Sequence, residues 1–166
     1  MNKIHGYTLR LATAEDVTQA LGLIQELATY EREPEAVTVT VDSMIQDGFG
    51  ENPSYIMWVV EKDNRIDGIA VCYDRYSTWK GRMLYLEDLV VTESQRGLGL
   101  GKALFENCVH YAQEKNYQGM VWQVLEWNTP AIEFYQYFGA QLDPEWVNGK
   151  LDKQQLDNWK KRDENL

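Results

Sequence analysis

The apolar stretch Met83–Val91, followed shortly by Arg96-Gly97-Leu98-Gly99-Leu100-Gly101 and then a helical repeat to about Lys115, constrains this chain most. The strand is too apolar at its end to leave one face in water, so it belongs inside a sheet covered on both sides. Side-chain-free positions between strand and helix let backbone N–H groups crowd around an anion, and the helix adds its positive N-terminal end. Arg96 supplies a charge with a fork suited to phosphate oxygens. A Gly-x-Gly arises by chance about once in a chain of this size. The strand before, the helix after and the arginine in front are what make the turn read as a diphosphate site.

The remaining chain supplies the rest of a mixed sheet. Tyr7–Ala12 alternates and predicts a first strand. Thr13 and Asp16 form a loose helix start, after which Val17, Ala20, Leu21, Ile24, Leu27 and Ala28 recur at helical spacing. A shorter helix is expected over Asp42–Asp47, closed by Gly48-Phe49-Gly50. Tyr55–Glu61 and Ile66–Tyr73 read as a hairpin, Met83–Val91 as a fourth strand and Met120–Leu125 as a fifth. Pro130–Phe138 predicts a short helix with proline in its tolerated first turn. The tail is expected to hold one or two short strands and a helix over Lys153–Arg162. Hairpin strands followed by a strand–helix–strand crossover imply an α/β (α+β) fold, a mixed and mostly antiparallel sheet with helices on both faces. No repeat or linker divides the chain, so residues 1–166 are expected to form one domain.

Composition narrows the function. The 166 residues carry 26 Asp plus Glu against 16 Lys plus Arg, a net charge of −10. Such a surface repels phosphate backbones and attracts cations, amines included, so nucleic acid is not an expected partner. Cys72 and Cys108 lie far apart in apolar stretches and read as buried free thiols. With only His5 and His110, a metal site is not expected. No apolar run reaches the length of a signal peptide or a membrane span, which points to the cytoplasm and to no membrane partner.

Two common diphosphate motifs fail here. A dinucleotide fingerprint needs a third glycine where Lys102 or Leu104 stands, and a P-loop needs glycine at Arg96 and Ser or Thr at Ala103. Arg-x-x-Gly-x-Gly instead matches the pyrophosphate signature of the GCN5-related N-acetyltransferases, which the sequence resembles along nearly its whole length. Within that family it is most similar to the diamine (spermidine/spermine) and thialysine acetyltransferases. The likeness rests on Leu27–Glu31, Asp47–Pro53, Tyr76–Arg82, Leu84–Asp88 and Glu126–Tyr135.

The resemblance implies a fold in which the fourth and fifth strands splay apart to admit the pantetheine arm of acetyl-CoA. It implies that the backbone of Leu89 and Val91 pairs with that arm, and that N–H near Leu89 polarises the thioester carbonyl. Asn128 would hydrogen-bond the arm, while Arg96, Gly97, Leu98, Gly99, Leu100 and Gly101 hold the pyrophosphate. Tyr135 matches the general acid that protonates the departing thiolate, and Glu87 the base that accepts an ammonium proton through water. Tyr30, Glu31, Trp79, Glu87 and Asp88 match positions lining the amine pocket. Alternation along the strand is expected to send Glu87 and Asp88 to opposite faces. Ser77 stands where the polyamine-specific branch has an acidic residue, so the expected substrate is a short diamine or lysine-like amine, with a homodimer as the assembly. Acetylation of a protein amino terminus and a non-catalytic acyl-CoA sensor are the competing readings.

Overall fold

The computed structural model describes residues 2–159, in two compact units divided between Leu125 and Glu126. The first unit holds β1 (Asn2–Ile4), β2 (Tyr7–Leu11), α1 (Val17–Tyr30) and α2 (Val41–Phe49). It continues with β3 (Ile56–Lys62), β4 (Arg65–Ser77), β5 (Gly81–Val91), α3 (Leu100–Glu114) and β6 (Met120–Val121). The strands form one sheet in the order β1-β2-β3-β4-β5-β6. Every neighbouring pair is antiparallel except β5 and β6, which run parallel.

Local chemistry explains the turns. Asp63 and Asn64 join β3 to β4 with φ of 54° and 60°, and His5 and Gly6 join β1 to β2 with φ of 49° and 84°. Positive φ at both central residues gives a turn whose twist matches that of the strands, and Asn, Asp and Gly adopt it at least cost. β1 has too short an apolar pattern to register in the sequence and is an addition to the expected strands. α2 starts one residue early because Thr40 caps it, accepting from the Ser43 N–H at 3.1 Å.

The expected helices on both faces are present. Met57, Val59, Ile69, Val71 and Val90 pack with Val17, Ala20 and Leu23 of α1 and Met44 of α2 in one buried cluster. Alternate residues point the other way: Trp58 meets Tyr111 of α3 edge-on at 4.9 Å, and Cys72 lies 3.7 Å from Cys108. Ile66–Cys72 is buried throughout, as a strand sandwiched between helices must be. Each large aliphatic side chain so placed contributes roughly 1.5–3 kcal/mol. Arg10 ties β2 to the start of α1, contacting Asp16 at 2.6 Å and Glu61 at 2.7 Å. It holds the Asp16 carboxyl below the usual range against the opposing effect of burial, so this contribution is lost as pH falls.

The fifth expected strand is shorter than predicted. β6 covers only Met120 and Val121, opposite Leu84 and Tyr85, rather than running to Leu125. Parallel pairing stops where β5 begins to bulge, between Leu86 and Asp88, and a bulge bends its strand away from a neighbour. β5 and β6, the expected fourth and fifth strands, therefore splay, as expected. Among the described residues no helix is long and apolar enough to cross a membrane.

The second unit contains α4 (Thr129–Tyr137) and α5 (Lys153–Asp157). Gly139, with φ of 79°, ends α4: its N–H donates to Gln136 and that of Ala140 to Tyr135, satisfying the last carbonyls. No strand is assigned among the described residues between α4 and α5, which corrects the expected tail strands: an extended segment becomes a strand only through a regular ladder of backbone hydrogen bonds. The part of the predicted final helix beyond residue 159 lies outside the described residues.

Candidate active site

The glycine turn has the geometry an anion requires. Gly97 and Gly99 take φ of 81° and 75°, a region costly for a side-chain-bearing residue. Gly99 is the N-cap of α3 and provides no side-chain cap, so the first N–H groups of a 15-residue helix point into the turn without one. A Cβ on Gly97 would meet nothing within 4 Å, leaving room for a ligand, while one on Gly101 would lie 3.7 Å from Val91. The helix start thus sits against the end of β5.

The segment leading into the turn is tied down from several directions. Glu26 of α1 accepts from the Thr92 hydroxyl and from the Glu93 N–H, both at 2.8 Å. Thr92 N–H donates to the Asp67 carbonyl at 2.9 Å. The Arg96 Nε donates to the Val91 carbonyl at 3.1 Å, and its guanidinium lies 5.3 Å from the centre of the Tyr30 ring. Among the described residues no salt bridge joins Arg96 to a carboxylate.

A bulge shapes the acidic group. β4 and β5 pair from Ser77 opposite Gly81 to Cys72 opposite Leu86, and the next pair is Val71 with Asp88. Glu87 is the extra residue. Counting back from Val90 puts Asp88 on the α1 face; counting forward from Tyr85, stacked on Tyr73 at 4.9 Å, puts Glu87 on the same face. The expectation of opposite faces is therefore wrong, because the bulge resets the alternation by one residue.

The electrostatics follow from that crowding. The Asp88 carboxyl is pushed up to about 6, first by burial, then by the charges of Glu87 and Glu31. Burial also raises Glu31, the residue that ends α1. The Tyr73 phenol is pushed up to about 12 by burial and by Glu87. A carboxyl whose ionisation is opposed by burial and by two neighbouring carboxylates is an attractive place for a cation.

The other expected residues lie apart from this group or in the second unit. Trp79 is 84% exposed at the β4–β5 turn, and no ring or cation contacts it among the described residues. The Ser77 hydroxyl accepts from the N–H groups of Trp79 and Lys80 at 3.3 and 3.2 Å, so it builds that turn. In the second unit Asn128 caps α4, its Oδ1 accepting from the Ala131 N–H at 3.3 Å. Tyr135 is 8% exposed and packs edge-on against Phe134.

Comparison with known proteins resolves what this arrangement belongs to. The family model described as "Acetyltransferase (GNAT) family" matches residues 17–140. This chain belongs to the GNAT acetyltransferase family. The acetyltransferase is 36% identical over 141 residues to a thialysine N-epsilon-acetyltransferase of Bos taurus, covering 80% of this chain and 83% of the relative. It is 33% identical over 141 residues to a human spermidine/spermine N(1)-acetyltransferase-like protein 1, covering 81% of this chain and 20% of that longer protein. An aminoglycoside N-acetyltransferase solved in complex with CoA shares the fold, with a TM-score of 0.71 at 17% identity over 90% of this chain and 97% of that one. The chain is accordingly an acyltransferase.

Sequence reading of the acetyltransferase misses three contributors. Tyr73 and Tyr85 look like ordinary strand aromatics, and only the bulge brings Glu87 onto their face. Glu26 carries no motif at all, since its partners at Thr92 and Glu93 are distant in sequence.

Proposed function

We propose that the protein transfers acetyl from acetyl-CoA to the primary amine of a short diamine or lysine-like (thialysine) substrate by direct attack. The observation that carries this reading is the gathering of Glu31, Glu87 and Asp88 on the α1 face of the sheet by the β5 bulge. The diphosphate of the coenzyme sits on Arg96, Gly97, Leu98, Gly99, Leu100 and Gly101, where the open cradle at Gly97 and the bare start of α3 support it. The backbone of Leu89 and Val91, beyond the end of β6, pairs with the pantetheine arm, and Asn128 hydrogen-bonds it.

In this reading Asp88 and Glu31 hold the cationic substrate, with Tyr30 and Trp79 beside the amine. Glu87, the most exposed of the three carboxylates, takes the ammonium proton through water. The neutral nitrogen adds to the thioester carbonyl, whose oxygen is stabilised by N–H near Leu89. The C–S bond then breaks, Tyr135 gives its proton to the leaving thiolate, and the phenolate so formed recovers a proton from the nitrogen as the neutral amide forms. No metal takes part. The family match runs across the boundary between the two units, which supports reading residues 1–166 as one catalytic domain. Trp146 and Val147, 75% and 94% exposed in the tail, suit burial in a homodimer, and the buried free thiols suit a reducing cytoplasm.

The test is a screen of small amines with acetyl-CoA, reading released thiol. Short diamines or the lysine thioether are expected to exceed spermidine in kcat/KM by about tenfold, because Ser77 leaves one fewer carboxylate for an extended cation. Spermidine ahead by tenfold would overturn the substrate assignment. Absence of thiol release with every amine would overturn the transferase reading.

A further inference from the structure

We infer that Glu26 is a positioning residue for the coenzyme: from the middle of α1 it holds the segment that aims Arg96 and the glycine turn. The inference rests on the functional reading above and concerns how the diphosphate site is kept in shape. Glu26 has no place in the acidic group and no motif marks it, yet its half-buried carboxylate binds both the Thr92 hydroxyl and the Glu93 N–H. Hydrogen bonds to an ionised acceptor are the stronger kind, and two of them fix both position and rotation of the segment they hold.

What lies downstream gives the tie its consequence. Gln95 N–H donates to the Thr92 carbonyl and Arg96 N–H to that of Glu93, so the turn that delivers Arg96 is built on the two residues Glu26 holds. The same helix presents Tyr30 to the Arg96 guanidinium, one turn beyond Glu26. α1 therefore meets the loop at both ends of the Thr92–Arg96 segment. A negative charge beside a diphosphate site is unfavourable by itself, because it repels the ligand. A pure charge effect and a positioning effect therefore predict opposite signs, which makes the inference testable.

Coenzyme A affinity is measured calorimetrically for wild type, Glu26→Gln, Glu26→Ala and Thr92→Val. Glutamine removes the charge and replaces two charge-assisted hydrogen bonds by weaker neutral ones, its oxygen accepting from the Glu93 N–H and its amide able to donate to the Thr92 hydroxyl oxygen. Positioning predicts that Glu26→Ala weakens coenzyme A by about tenfold, equivalent to about 1.4 kcal/mol, and Glu26→Gln by about threefold. The KM for the amine at saturating acetyl-CoA should stay within about twofold, a split that general loss of structure would not produce. Thr92→Val keeps every charge and loses one donor, so it should weaken coenzyme A by about threefold; with Glu26→Gln it decides the matter if the alanine variant fails to fold. Affinity unchanged within twofold, or tightened, in Glu26→Gln and Thr92→Val would overturn the inference while leaving the functional reading intact. A wild type that binds no coenzyme A would overturn both.

Discussion

Replacing Asp88 by asparagine removes the one carboxyl that the bulge forces to ionise against burial and two neighbouring charges. In the unfolded chain an aspartate titrates near its ordinary 3.8, whereas in the fold Asp88 is pushed up to about 6. At about 1.36 kcal/mol per pH decade that interval is worth about 3 kcal/mol, and partial access of solvent trims it to about 2 kcal/mol. The sign follows from linkage: between these values the native state binds the proton more tightly than the unfolded chain, so stability declines as pH rises and levels off above about 6. Asparagine does not titrate. The stability of Asp88→Asn relative to wild type should therefore rise by about 2 kcal/mol between pH 3.5 and pH 7, measured by urea unfolding of the ligand-free proteins. The difference between variants cancels the titration of the other carboxylates, including Asp16, whose effect runs the opposite way. The same variant should bind amine less tightly at pH 7, where wild type offers an ionised partner. A stability difference flat with pH to within about 0.5 kcal/mol would refute the electrostatic account of this group.

Tyr135→Phe should lower kcat by about a hundred- to ten-thousand-fold while leaving coenzyme A affinity nearly unchanged; a kcat within about threefold of wild type would remove the proposed acid, provided chemistry limits the rate. Gly99→Asp should weaken coenzyme A by tenfold or more and Gly99→Asn by much less, since both side chains tolerate positive φ but only one brings a negative charge; equal effects would point to strain instead. Gly68→Ala should cost about 1–3 kcal/mol on thermal unfolding, because its Cβ would lie 2.9 Å from Val60 Cγ2 and 3.0 Å from the Val90 carbonyl. A melting temperature equal to wild type would mean the β4–β5 pair is looser there than this packing implies.

Features set by a few consecutive residues are legible in the sequence. The run of apolar residues at 66–72, the glycine turn ahead of α3 and proline in the first turn of α4 each announce an element through interactions spanning a few positions. So does the family, since five separate motifs in order are hard to obtain by chance. Pairing across the sheet is not legible in the same way. Whether β6 runs two residues or six depends on where β5 stops lying flat beside it, and whether Glu87 and Asp88 share a face depends on Val71 and Cys72 opposite them. The sequence by itself determined which residues carry charge, where the glycine turn lies and which strands must be buried, because local sterics and hydrophobicity act within a few bonds. Only the tertiary structure decided that Asp88 would titrate near 6 and that Glu26 would hold Thr92, because burial and charge coupling depend on residues brought together from distant parts of the chain.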